Sequence, residues 1–315
     1  MITSNKRCLY CYKILENNGS DYHGICSKKF FGSATPLQIQ FGLSEIKNLA
    51  VQVLGKSTSV TGVQPKISLD HLSGKYDDKR LTIVGLWGNY ILKPPIALYP
   101  EIPENEDLTM HLTSLLKIRT AEHSLIRLKS GEIAYITKRF DRIKKGKLPL
   151  EDMAQLTGTL TENKYRGSME KIGKIIRNFS SYPGIDLITF YELILFSFIT
   201  GNSDMHLKNF SLLTNPENEV VLSPAYDLLS TKLLIKEDKE EMALTVNGKK
   251  SNLKKADFTI FAKVLGINDV SLKNIHMKFQ KQEQKMLEFI DKSFLSDTMK
   301  EEYKKLLSER MIRLN

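Results

Sequence analysis

Residues 201–213, GNSDMHLKNFSLL, set an Asp, a His, a Lys and an Asn between two apolar runs. Asp204 and Asn209 stand five residues apart, and a second acid, Asp227, follows 18 residues later within LSPAYDLLS. An Asp, an Asn shortly after it and a second Asp beyond a hairpin-length insert suit phosphoryl transfer. The first carboxylate orients or deprotonates a hydroxyl within hydrogen-bond reach. The amide oxygen and the second carboxylate are hard donors of the kind Mg²⁺ takes while keeping several waters. Singly, each residue is better explained by a cap or a turn. The ordered triple is what points to chemistry.

Such a site also needs groups for nucleotide phosphates, and the upstream sequence offers them in order. STSVTGVQPK sets Ser57, Thr58, Ser59, Thr61 and Gly62 in a loop of small residues whose N–H groups suit anionic oxygens. NYILKPP places Lys93 at a strand end, and PENEDLTMHL opens a helix with Glu104 and Glu106 able to pair with it. Helical spacing covers 44–54 (Ile46, Leu49, Val53) behind a capping Ser44. Ile67, Leu69 and Leu72 suggest a strand ending at Ser73 and Gly74. TIVGLWGNYILKPP reads as two short strands joined by a hairpin signal at Gly88 and Asn89. A helical stripe of Leu108, Leu112, Leu115 and Leu116 spans 104–117, and GEIAYITKRFDR alternates as a strand before the polar connector IKKGKLP. Helices are predicted at 152–161, 167–178, 186–200 and 282–311.

The expected fold is therefore α+β and two-lobed, with a strand-rich N-lobe, a helical C-lobe and the active site in the cleft between them. The predicted divisions are a Cys/His element at 1–40, the N-lobe with its Ser-rich phosphate loop at 41–142, and the helical C-lobe at 143–315. The 315 residues suffice for a large core. No apolar run approaches the roughly 20 residues of a membrane span, and the N-terminus has no signal-peptide pattern, so the expectation is a cytoplasmic protein. A net charge of +10 favours polyanions. The basic residues, however, are scattered in pairs such as Lys28 and Lys29, Lys144 and Lys145, and Lys254 and Lys255, the pattern of a solvated surface.

From about Ser57 onward, GVQPKISL, YILKP, ENE, KRFDR, GNSDMHLKNFSLL and PAYDLLS together resemble the HipA-type toxin kinases, bacterial serine/threonine kinases of toxin–antitoxin systems with a kinase-like core. The resemblance implies an ATP- and Mg²⁺-dependent enzyme with Asp204 as base and Asn209 and Asp227 as Mg²⁺ ligands. It implies that Lys93 meets the nucleotide phosphates, and that Lys138, Arg139 and Phe140 form the strand against adenine. His206, Lys208 and Tyr226 join the nucleotide site. Only 56 residues precede the Ser-rich loop. That shortness, and the paired serines, resemble HipT of the three-component systems, whose kinase autophosphorylates on this loop, here Ser57 or Ser59. The implied partners are antitoxins resembling HipS and HipB, with DNA met only through HipB, and an aminoacyl-tRNA synthetase as protein substrate. Asp227 is followed by Leu228 and Leu229 rather than Phe and Gly, so a Phe-flip regulation is not implied.

Cys8-x2-Cys11-x11-His23-x2-Cys26 has a spacing that a tetrahedral structural Zn²⁺ accepts. Three thiols packed under a loop beside a surface His account for it equally well. Two rival functions also stand. A small-molecule kinase shares the Asp…Asn…Asp plan, although such enzymes usually carry a His beside the catalytic Asp, and Ser203 precedes it here. A kinase-like corepressor scaffold on DNA would suit the basic charge but would not need the intact triple.

Overall fold

The computed structural model describes residues 6–16, 19–46, 48, 64–71, 80–84, 88–144 and 146–314. Ser57, Ser59, Thr61 and Gly62, most of the helix predicted over 44–54, and the predicted strand end at Leu72, Ser73 and Gly74 lie outside them. The chain divides into two compact units. The first comprises Met1–Asp107, Ala121–Phe140 and Lys292–Phe294; the second comprises Leu108–Thr120, Asp141–Asp291 and Leu295–Asn315.

Alternating apolar positions in the first unit build one six-stranded sheet from β1 (Gln38–Ile39), β2 (Ile67–His71), β3 (Arg80–Ile83), β4 (Tyr90–Lys93), β5 (His123–Arg127) and β6 (Ile133–Lys138). Its strand order is β1-β3-β2-β4-β6-β5. The β1–β3 pair is parallel and the others are antiparallel. The expected hairpin about Gly88 and Asn89 is not formed: β3 and β4 lie on opposite sides of β2. The turn dipeptide is instead bonded to β2, where the Gly88 N–H donates to Ser68 Oγ at 3.1 Å and the Asn89 amide donates to Asp70 Oδ1 at 2.8 Å. Helix α1 (Gly24–Phe31) supplies Phe30 and Phe31 to the core, and helix α2 (Ile102–Leu115) contributes its turns through Asp107.

In the second unit the connector IKKGKLP contains a two-stranded ribbon, β7 (Arg142–Ile143) with β8 (Gly146–Lys147). A three-stranded sheet has β10 (Ser211–Thr214) between β9 (Leu150–Asp152) and β11 (Val220–Leu222). The helix expected over 152–161 shrinks to α3 (Met153–Leu156). Asp152 and Gln155 cap it reciprocally, and the Thr157 hydroxyl turns back to the Met153 carbonyl at 2.7 Å. Helices α4 (Met169–Phe179) and α5 (Pro183–Ile199) fall close to expectation; Ser168 accepts from Lys171 N–H at the start of α4, and Pro183 opens α5. After α6 (Thr231–Leu234) comes α7 (Lys255–Val264), which periodicity did not reveal. The long helix expected over 282–311 is two helices, α8 (Asp269–Asp291) and α9 (Asp297–Leu314). Between them Phe294 meets Tyr12 edge-on at 4.9 Å within the first unit, and Ser296 begins the next helical turn by accepting from Lys300 N–H.

Gly201 ends α5 with φ +68°, a left-handed conformation that costs a side chain about 1–2 kcal/mol. A Cβ there would also lie 2.7 Å from Leu306 Cδ2 and 2.9 Å from Lys232 Cβ, whereas Gly32, at φ +80°, has open space around it. Gly201→Ala is expected to lower unfolding free energy more than Gly32→Ala, with the Gly32 change near the strain cost alone. Denaturant melts of both variants test this, and equal losses would show that the packing around Gly201 is slack.

Candidate active site

Helix α5 is apolar on nearly all sides and buried from Phe190 to Ile199, so it forms the core of the second unit. The chain leaving it turns at once. Gly201 N–H donates to Phe198 O at 3.1 Å, and Asn202 N–H to Ser197 O at 2.8 Å. Thr231 then anchors the loop from α6: its hydroxyl donates to Gly201 O at 3.0 Å and accepts the Ser203 N–H at 2.8 Å. The Ser203 hydroxyl donates to Asp238 at 2.6 Å. Asp204 therefore emerges from a backbone held on both sides.

The residues that follow are fixed to Asp204 itself. Its N–H donates to Asn202 Oδ1 at 3.2 Å, and its carbonyl accepts His206 N–H at 2.8 Å and the Asn209 amide at 3.1 Å. With the Asn209 nitrogen committed in this way, its oxygen is the atom left to ligate a cation. The Asp227 segment is stapled to the same loop by its neighbour. Tyr226 donates its phenol to Lys208 O at 2.9 Å and meets Ser211 Oγ at 2.6 Å. Burial drives that phenol's pKa above its ordinary value. Tyr226, expected among nucleotide contacts, also holds the Asp227 segment against the loop of Lys208. Asp227 has φ +57°, a strained left-handed conformation that Asp tolerates better than most residues.

One residue that sequence reasoning missed is Tyr165. Its hydroxyl donates to Asp204 Oδ1 at 2.5 Å, its ring meets His206 edge-on at 5.0 Å, and Lys164 Nζ lies 5.0 Å from its centroid. No motif marks it, because it sits in an irregular turn 39 residues before Asp204. Burial pushes the Tyr165 phenol up, and the Asp204 hydrogen bond and charge add to the rise. Burial lowers the His206 imidazole, with Asp204 opposing and Lys164 reinforcing the fall.

The first unit holds the other predicted residues. Lys93 ends β4 and reaches Glu106 of α2 at 2.5 Å, with side-chain exposures of 6% and 1%. Its Nζ also lies 5.3 Å from the Tyr135 ring centroid. Of the two glutamates offered as partners, Glu106 forms the pair; two residues apart on a helix, they face different ways. Burial raises the Glu104 carboxyl to about 8, which keeps it largely protonated at neutral pH. Lys138 pairs with Glu122 at 2.6 Å, Arg139 N–H donates to Asn89 O at 2.9 Å, and Phe140 closes this segment of the unit. Cys8, Cys11, His23 and Cys26 also gather in the first unit.

The family model described as HipA-like C-terminal domain matches residues 58–296. "Putative kinase Y4dM" of Sinorhizobium fredii is 35% identical over 185 residues, covering 55% of this chain and 45% of that protein. A protein of Haemophilus influenzae, named "Putative kinase", is 31% identical over 186 residues, covering 55% and 52%. The chain thus spans about half the length of these curated relatives. Among solved structures, HipA in the Shewanella oneidensis MR-1 complex of HipA, HipB and operator DNA aligns with a TM-score of 0.68 and 22% identity, covering 81% of this chain and 64% of that one. The Helicobacter pylori proinflammatory kinase CtkA aligns with a TM-score of 0.53 and 20% identity, covering 73% and 90%. These two likenesses establish a mixed α+β, kinase-like fold. No helix among the described residues is long and apolar enough to cross a membrane.

The Tyr165–Asp204 bond gives a titration that needs no turnover. A raised phenol pKa means that the folded state keeps this proton while the unfolded chain loses it near the ordinary value of about 10. The associated stability is full below that pH and falls as pH rises toward the folded value. Asp204→Asn removes the charge and leaves the burial, so Tyr165 is expected to ionise at a lower pH than in the wild type. Alkaline difference absorbance, with Tyr165→Phe identifying the component, reads the shift. An unchanged titration would mean that the bond is not populated in solution.

Proposed function

Because the chain belongs to the HipA-like C-terminal domain family, we propose that it is an ATP- and Mg²⁺-dependent serine/threonine protein kinase. The observation that carries this reading is the single hydrogen-bonded loop in which Asn209 is tied to Asp204 and Tyr226 ties in the strained Asp227. In this reading Asp204 accepts a hydrogen bond from the attacking hydroxyl, orients it and takes its proton as the new P–O bond forms and the bond from the γ-phosphorus to the bridging oxygen breaks, releasing ADP. Tyr165 holds the carboxylate in one orientation between turnovers.

Asn209 and Asp227 fit a Mg²⁺ site, since they present an amide oxygen and a carboxylate, both hard donors, from segments fixed by Tyr226. Bound there, the ion would supply charge neutralisation for the transferring phosphoryl group. Lys93, held by Glu106, is assigned to the nucleotide phosphates. The segment of Lys138, Arg139 and Phe140 is assigned to adenine, and His206 and Lys208 to the nucleotide's surroundings. Ser57, Ser59, Thr61 and Gly62 are assigned to phosphate cradling, as the sequence alone suggests.

The biological assignment is a toxin of a toxin–antitoxin system, nearest to HipT, working in the cytoplasm. Its support is the family membership and the structural neighbour found with HipB on operator DNA. The proposed partners are therefore antitoxin proteins resembling HipS and HipB, with DNA reached through the latter. The proposed substrate is an aminoacyl-tRNA synthetase, and Ser57 and Ser59 are proposed as autophosphorylation sites. A phosphoserine there would add roughly −1.5 to −2 charge beside the nucleotide's own phosphates and oppose ATP binding.

Incubation with γ-labelled ATP and Mg²⁺ is expected to place phosphate on protein. Asp204→Asn should reduce transfer by about 10²–10⁴-fold in a protein that still unfolds cooperatively. Undiminished transfer would remove Asp204 from the mechanism, and label on a small molecule would overturn the protein-kinase assignment. Mass spectrometry of the same two proteins should find phosphate on Ser57 or Ser59 in the active form alone. Unmodified serines in both would overturn the autophosphorylation proposal.

A further inference from the structure

We propose that Cys8, Cys11, His23 and Cys26 form a structural zinc site that fixes the N-terminal segment onto the first unit's sheet. The inference rests on geometry and is independent of the kinase reading. Residues 7–14 fold back on themselves. Arg7 and Ile14 bridge in antiparallel fashion, Cys8 N–H donates to Lys13 O, and Tyr12 N–H to Cys8 O, both at 2.9 Å. Tyr12 takes φ +62° directly after Cys11, a costly conformation for an aromatic residue, and the turn it makes brings the sulfurs of Cys8 and Cys11 together. His23 precedes α1 and makes no capping bond, and Cys26 lies in the first turn of that helix.

The four ligand atoms all lie within 4.8 Å of one another. Nδ1 of His23 stands 3.5 Å from Cys11 Sγ and 3.7 Å from Cys26 Sγ. Zinc bonds of about 2.3 Å to sulfur and about 2.0–2.1 Å to nitrogen, set at tetrahedral angles, require S···N edges of about 3.6 Å. The outer ring nitrogen also supports this arrangement. Nε2 of His23 lies 3.0 Å from Ile14 O, so the ring donates there and turns the lone pair of Nδ1 toward the sulfurs. A single Nδ1 lone pair suits one S–H donor, so its approach to two thiol sulfurs at similar distance fits a shared ion better than two competing hydrogen bonds. The cluster has no carboxylate and uses every cysteine of the chain, none in a disulfide. A soft set of three sulfurs and one nitrogen selects zinc over Mg²⁺ or Ca²⁺, and four protein ligands leave no open position for catalysis.

The same segment grips the sheet. Leu9 O accepts Leu125 N–H of β5 and the Ser124 hydroxyl, each at 3.2 Å, and Tyr12 donates to Asp107 of α2 at 2.7 Å. Full-length protein purified without chelator is expected to contain about one zinc per chain. Cobalt should replace it with the visible bands of a tetrahedral thiolate complex. The half-exposed Cys11 offers the mildest variant: Cys11→Ser should bind zinc at least tenfold more weakly, and Cys26→Ser likewise. A wild-type protein without zinc, whose three thiols react with a thiol reagent equally fast with and without added Zn²⁺, would overturn the site. Full zinc retention in both variants would do the same.

Discussion

Lys93 carries its ammonium into a place where only 6% of the side chain meets solvent, and an isolated charge there would bear a desolvation penalty of several kcal/mol. A strand and a helix of the first unit meet that charge. Strand β4 pairs with β6 in the register Lys93↔Tyr135, which sets the aromatic ring beside the Nζ. Helix α2 must present Glu106 at the strand's end. Buried ion pairs add little net stability compared with apolar packing, so the value of this one is positional. It holds a long, otherwise mobile cation in one orientation.

The second unit depends on a different constraint. Helix α5 is too apolar to face water, so it is buried, and its C-terminal carbonyls must be satisfied within the protein. Thr200, Gly201 and Asn202 do this by bonding back to Phe196, Phe198 and Ser197. The polar loop that follows is anchored to the helix it caps, so four polar residues sit on a fixed backbone directly behind an apolar stretch. Thr231, Ser203 and Asp238 extend the same support outward.

The Asp204–Asn209 contact and the Lys93–Glu106 pair were legible because an ordered set of Lys, Glu, Asp and Asn is seldom placed that way by composition. Element existence was legible wherever periodicity was strong, as in α2, α4 and α5. What escaped depended on distant partners. The Gly88–Asn89 dipeptide looked like a hairpin turn, but the decision lay with Ser68 and Asp70 on a third strand. The long C-terminal helix looked continuous because helical periodicity runs through 282–311, while the break comes from Phe294 meeting Tyr12. Tyr165 had no local signal, since an aromatic in a turn declares nothing until Asp204 is brought beside it. Glu104 and Glu106 were equivalent in sequence, and burial separated them into a largely protonated acid and a paired carboxylate.

Lys93 and Tyr12 meet neighbouring residues of a single helical turn. Glu106 and Asp107 are adjacent on α2, so their side chains leave the helix about 100° apart and meet different elements. Glu106 goes to β4 through Lys93. Asp107 accepts from His123 Nδ1 on β5 at 2.7 Å and from Tyr12 at 2.7 Å. Tyr12 is the residue whose left-handed backbone closes the turn behind Cys11. The helix is therefore gripped from two directions by charged and charge-assisted bonds, which are stiffer than apolar contacts because they tolerate little change in distance or angle. A shift of the cysteine turn would reach Asp107 through one phenol, and Asp107 cannot move without its helical neighbour. The cysteine-bound segment and the Lys93 pair are thus mechanically one assembly, although 67 residues separate Cys26 from Lys93.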